Sequence, residues 1–73
     1  MRTYDVFQVI GQGMVTSLRQ GGVPDVLVDT WENYWAVTVL DHAESGLSAE
    51  ALALNVMENL AFGKDLSRVY GHD

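Results

Sequence analysis

The chain has no cysteine and one proline, Pro24. Without cysteine, neither a disulfide framework nor a thiolate metal site can form. Its 73 residues must therefore be held together by packing alone or by a partner. Basic charge is scarce as well. From Gln20 to Gly63 there is no lysine and no arginine; Arg2, Arg19, Lys64 and Arg68 all lie outside that window. Clustered Lys and Arg are what phosphate contacts require, so direct nucleic-acid binding is not expected. Uncharged apolar runs fall well short of the ~18 residues a membrane span needs. Asp5 stands where a secretory signal would carry its apolar core. A reducing compartment suits a cysteine-free chain, and the expectation is a soluble cytoplasmic protein.

What the window does hold is acid: Asp25, Asp29, Glu32, Asp41, Glu44, Glu50 and Glu58. The formal net charge of −6 is thus concentrated in the middle of the chain. A field of one sign steers partners of the other sign and repels nucleic acid. Residues 1–73 are expected to make a single small acidic domain. At this size a chain buries only about 60% of its unfolded surface and is marginal alone.

Four segments can be read along the chain. Tyr4, Phe7, Ile10, Met14 and Leu18 recur at steps of three or four, which predicts a helix over Tyr4–Gln20. Gly21-Gly22 offers a left-handed cap, Arg19 suits the last turn, and Pro24 follows as a stop. Gly11-Gln12-Gly13 interrupts that pattern, and a β-hairpin turning there is the rival. If the segment is helical, the two glycines leave bare backbone that something can approach closely. Asp25–Trp31 and Tyr34–Asp41 are rich in β-branched and aromatic residues and predict two strands joined at Glu32-Asn33. That register places Val26, Val28, Thr30, Trp35, Val37 and Val39 on a core face, with Leu27, Asp29, Trp31, Tyr34, Ala36, Thr38 and Leu40 on the other. Ser48 predicts a helix N-cap, Leu47 and Leu52 have the spacing of a hydrophobic staple, and Gly63 is expected to close the last helix. Its apolar stripe is Leu52, Ala53, Val56, Met57 and Leu60, with Asn55, Glu58 and Asn59 on the polar side. The last three residues, Gly71-His72-Asp73, read as a frayed tail.

The fold class expected from this order is α+β: helix–strand–strand–helix with an antiparallel hairpin. The alternative is a four-stranded antiparallel meander followed by a C-terminal helix. One hairpin cannot cover two helices well. Pairing two hairpins across a twofold axis would give a four-stranded sheet, so a homodimer is expected.

Signals for chemistry are few. Gly11-Gln12-Gly13 lacks the third glycine and the preceding strand of a dinucleotide loop; Thr16 stands at the third position. Asp41-His42-Ala43-Glu44 mixes possible metal ligands, but two ligands at a strand end make no closed zinc site. No Gly-x-Ser-x-Gly elbow is present. Neither an enzyme nor a cofactor or metal site is expected. The remaining signal is Trp31 and Tyr34 beside carboxylates, since Trp and Tyr anchor interfaces and flanking acids select a basic partner. The candidate partner-binding residues are Asp29, Trp31, Glu32, Tyr34, Asp41 and Glu44.

These residues imply a non-enzymatic protein-binding module facing a basic partner. One concrete form is an inhibitor that mimics nucleic acid. In size and charge alone the chain is similar to small acidic phage and mobile-element proteins that block host nucleases, anti-CRISPR proteins among them. A second reading is a structural or regulatory subunit, or an antitoxin, whose aromatic face seals an apolar partner surface. A third is a small enzyme or ligand binder with its site at a dimer interface.

Overall fold

The computed structural model describes residues 2–72 and contains no strand among them. It consists of three helical rods. The first is α1, Thr3–Gln20. The middle rod runs without a break through α2, Asp25–Trp35, a π-helical turn, Ala36–Leu40, and α3, Asp41–Ser45. The last is α4, Ala49–Tyr70. The connections, 21–24 and 46–48, are too short for anything but antiparallel neighbours, so the rods run up, down and up. At a rise of about 1.5 Å per residue α4 is ~33 Å long, close to the 37 Å long dimension of the 37 × 20 × 16 Å molecule.

The α+β expectation is therefore overturned, both as helix–strand–strand–helix and as a meander. Residues 25–41 are helical because the apolar side chains they can bury follow a helical interval. Val28, Trp31, Trp35 and Val39 are the buried ones, whereas Val26 and Val37, placed inside by the strand register, are 70% and 61% exposed. The β preference of Val and Thr is worth only about 1 kcal/mol and depends on context. Burying two indoles outweighs it. No sheet is available to pair across a twofold axis, so the argument for a homodimer falls with the hairpin.

The helical reading of the first segment is met. Gly22 takes φ 86°, Gly22 N–H donates to Arg19 O, and Val23 N–H donates to Leu18 O. This is a Schellman cap, and it delivers Val23 into the core. Ser48 caps α4 by accepting from Ala51 N–H at 3.2 Å. The staple does not form, because Leu47 stays 56% exposed. Nor does Gly63 end α4: it is buried in the helix interior. The stripe is rotated from the one expected. Leu52, Asn59, Gly63 and Leu66 are buried, and Met57 faces outward. At the chain end His72 N–H donates to Gly21 O, so the tail is tied to the first cap as far as His72; Asp73 lies outside the described residues.

Two stacked indoles join the rods. The rings of Trp31 and Trp35 lie 5.2 Å apart at an interplanar angle of 19°, and both are buried. Trp35 Nε1 donates to Phe7 O at 3.0 Å, and a Cβ on Gly11 would come 2.3 Å from that nitrogen. Trp31 Nε1 donates to Asn59 O at 2.7 Å, and a Cβ on Gly63 would come 3.0 Å from it. Each indole thus lies over a glycine and donates to the carbonyl four residues before that glycine. One fastens the middle rod to α1, the other to α4. The bare backbone at Gly11 is the close approach that its sequence suggested, whereas Gly13 has nothing within 4 Å.

Candidate functional site

The middle rod carries one acidic flank and one aromatic flank. Asp25, Asp29 and Glu32 follow a four- and three-residue interval, so they share a side of the helix. That side faces α1: Arg19 Nε is 4.0 Å from Asp25 Oδ1, and Arg19 Nη2 is 3.8 Å from Asp29 Oδ1. These side chains are mostly solvent-exposed, and such pairs contribute about 0–1 kcal/mol. Tyr34, two residues beyond Glu32, lies about 200° further round the helix. It faces α4, where its ring meets Phe62 edge-on at 5.7 Å.

The π-helical turn keeps these flanks in line along the rod. The core-facing residues Trp31, Trp35, Val39 and Ala43 recur every fourth residue. In an α-helix of 3.6 residues per turn each such step overruns by about 40°. The wider turn, in which Asp41 N–H donates to Ala36 O, takes up the accumulated rotation. The same four-residue step carries Glu32, Ala36, Leu40 and Glu44 down the α1 flank. Glu44 accordingly lines a small cleft with Arg2, Thr3 and Tyr4, and Asp41 is exposed at the head of α3.

Of the residues singled out from sequence, Asp29, Glu32, Asp41 and Glu44 are exposed on the middle rod, and Tyr34 is 54% exposed on its other flank. Trp31 is 0% exposed at the centre of the core and drops out of the partner-facing set. Its indole N–H is already committed to Asn59 O. The structure brings the carboxylates together along one side but does not bring Trp31 or Tyr34 beside them.

Sequence reasoning missed the groove between the middle rod and α4. It measures about 420 Å³ and is lined by Tyr34, Thr38, Glu58, Asn59 and Phe62. No lysine or arginine lines it. A hydrogen-bonded chain crosses beneath it. Asn59 Nδ2 donates to Thr38 Oγ1 at 2.6 Å and to Asn55 O at 2.8 Å, and Thr38 Oγ1 donates to Tyr34 O at 2.6 Å. Both amide hydrogens of Asn59 are thereby used, and acceptors on that side fix the orientation of the amide. Its Oδ1 is left buried without a donor. Asn59, placed on a polar face from sequence, is only 7% exposed. An asparagine inside a helical pattern gave no sign of this. The one available signal was that Asn55 and Asn59 sit a helical turn apart beside Phe62.

The Asp41-His42-Ala43-Glu44 cluster lies at the end of the middle rod, and no group of three His, Asp or Glu residues converges as metal ligands among the described residues. No helix of the described chain is long and apolar enough to cross a membrane. Comparison with protein-family models, curated proteins and solved structures finds no match to this chain.

Proposed function

We propose that this chain is a non-enzymatic protein-binding module that presents the acidic flank of its middle rod to a basic partner surface. The observation that carries this reading is a single one. The rod from Asp25 to Ser45 holds five carboxylates, at Asp25, Asp29, Glu32, Asp41 and Glu44, all exposed, and no lysine or arginine of its own. Such a field raises the association rate with a cationic surface and rejects acidic ones.

Charge density weighs against the nucleic-acid-mimic form of the reading. Asp25 to Glu44 spans about 28 Å of helix, so the carboxylates fall roughly one per 7 Å. Duplex DNA carries about one charge per 1.7 Å. A protein groove evolved for a duplex would meet only a fraction of the charge it binds. The sealing-subunit reading loses its main anchor with the burial of Trp31.

The test is affinity capture from the native host with the wild-type chain and with the Asp29→Lys/Glu32→Lys variant, followed by identification of the captured proteins. A partner with a basic surface is expected on the wild type, released as salt rises and absent from the variant. Capture of the same proteins by the variant, or binding indifferent to salt, would overturn the reading.

A further inference from the structure

We infer that the outer face of α4 is the surface on which a second copy of this chain docks, antiparallel and across a twofold axis. Glu50, Leu54, Met57, Ala61, Lys64 and Arg68 follow one another at steps of four, three, four, three and four residues. That is the spacing of a coiled-coil seam, and it gathers the six into one stripe. The buried side of α4, with Leu52, Asn59, Gly63 and Leu66, lies roughly opposite. All six stripe residues are exposed, Leu54 and Met57 at 59% and 65%. The bundle thus uses one seam of α4 and leaves a second, equally regular one bare.

The order of residues along the stripe selects the occupant. Its start is acidic, its centre apolar and its end basic. Turning a second copy end over end about the middle of the stripe sets Glu50 opposite Arg68, Leu54 opposite the stem of Lys64, and Met57 opposite Ala61, each pair occurring twice. Opposite charges meet at both ends. At the centre a large side chain meets a small one, and helix axes can close to about 8–10 Å. A parallel copy would instead set Glu50 against Glu50 and Arg68 against Arg68. Such self-complementarity is what an isologous contact requires.

Net charge points to the same face. At −6 the chain repels its own copies, and the acidic flank of the middle rod could not face itself. Two of the four Lys and Arg residues of the chain, Lys64 and Arg68, stand on the α4 stripe. Arg68 Nη2 donates to Asp65 Oδ1 at 3.3 Å, which leaves the other donors of its guanidinium free. This contact owes nothing to the hairpin pairing set aside above. The stripe points away from the middle rod, so both acidic flanks stay open and the inference does not depend on the proposed function.

Sedimentation equilibrium over a range of chain concentrations tests it. The wild type is expected to dimerise as concentration rises. Met57→Glu, at an exposed position outside the core, should be monomeric with an unchanged circular dichroism spectrum. Glu50→Arg and Arg68→Glu should each weaken the dimer by about tenfold, because the twofold breaks two exposed ion pairs at once. Glu50→Arg lowers the net negative charge of −6 by two, so association governed by net charge alone would tighten instead. An equimolar mixture of the Glu50→Arg and Arg68→Glu chains restores an acid–base pair at each end and should form a heterodimer of about wild-type strength. Both end substitutions oppose the helix dipole, but the mixture carries the same substitutions as its components, so fraying cancels in the comparison. A wild type that stays monomeric up to about 1 mM, a dimer untouched by Met57→Glu, or a mixture no tighter than its two components would overturn the inference.

Discussion

The two sides of the middle rod differ in how much each residue is constrained. On the inner side Trp31 and Trp35 stack on each other, lie over glycines of two different helices, and spend their only polar hydrogens on fixed carbonyls. On the acidic flank Asp25, Asp29, Glu32, Asp41 and Glu44 are exposed, with Arg19 near the first two and the start of α1 beside Glu44. The inner side specifies the bundle; the outer side is free to be chosen by a partner. Stability should therefore respond steeply to inner substitutions and barely to outer ones.

The largest effect is expected from Trp31→Ala. Removing a buried Trp costs about 3–5 kcal/mol, and a domain of this length has about 4–11 kcal/mol in all. Urea unfolding followed by far-UV circular dichroism should show the variant largely unfolded or with its midpoint shifted far down. A midpoint within a few tenths molar of wild type would mean that the two indoles do not hold the rods together.

Gly11→Ala sharpens the comparison, because it adds one methyl and removes nothing. The new Cβ would stand 2.3 Å from Trp35 Nε1 and 2.5 Å from Trp35 Cδ1. The ring cannot swing aside, being stacked on Trp31 and edge-on to Phe7. Overpacking costs about 1–3 kcal/mol and the displaced hydrogen bond about 1–3 kcal/mol, against a gain near 1 kcal/mol in helix propensity. The net expectation is a loss of about 1–5 kcal/mol in the same unfolding experiment.

Gly13→Ala, two residues on in the same helix, should do the reverse. Nothing lies within 4 Å of the added carbon, and the backbone there is helical. Only the propensity difference remains, so the variant should be more stable by about 1 kcal/mol. Destabilisation would show that this side of α1 is covered by something, a second copy of the chain being the first candidate to examine by its concentration dependence.

The contrast between these glycines also marks what the sequence could and could not reveal. Helix ends were legible because their causes are local: Gly22 at a left-handed cap, and Ser48 bonding three residues ahead. The class of residues 25–41 was not. Trp, Tyr, Val and Thr suit a pleated surface, and alternation and helical spacing fit this stretch equally well until it is known which residues are buried. Pro24 followed by Asp25 is a helix start, and Val28, Trp31 and Trp35 have helical spacing, but the β-branched composition of the same stretch points to strands. Gly63 reads as a terminator from sequence because its partner, Trp31, lies in a different rod and no local rule links them. The outer carboxylates were legible as a charge run in any fold. Their separation from Tyr34 was not, since a hairpin turning at Glu32-Asn33 sets Tyr34 on the face of Asp29, whereas in one continuous helix Tyr34 lies nearly opposite Glu32.

The smallest change in stability is expected on the outer side, from Asp29→Lys combined with Glu32→Lys. Asp29 loses a pair with Arg19 that is already stretched to 3.8 Å and mostly exposed, and such pairs are worth about 0–1 kcal/mol. Glu32 has no side-chain partner among those that hold the rods together. Substitutions at sites of this kind usually stay within about 0.5 kcal/mol, and the variant should unfold at nearly the wild-type midpoint. Two carboxylates become two ammonium groups, so the formal charge of the middle rod moves by about four units with the bundle intact. Equal stability together with loss of a salt-sensitive partner would assign the acid flank to recognition. A fall in stability comparable to that of Gly11→Ala would instead place Asp29 and Glu32 among the residues that build the fold, and the division between the two sides of the rod would fail.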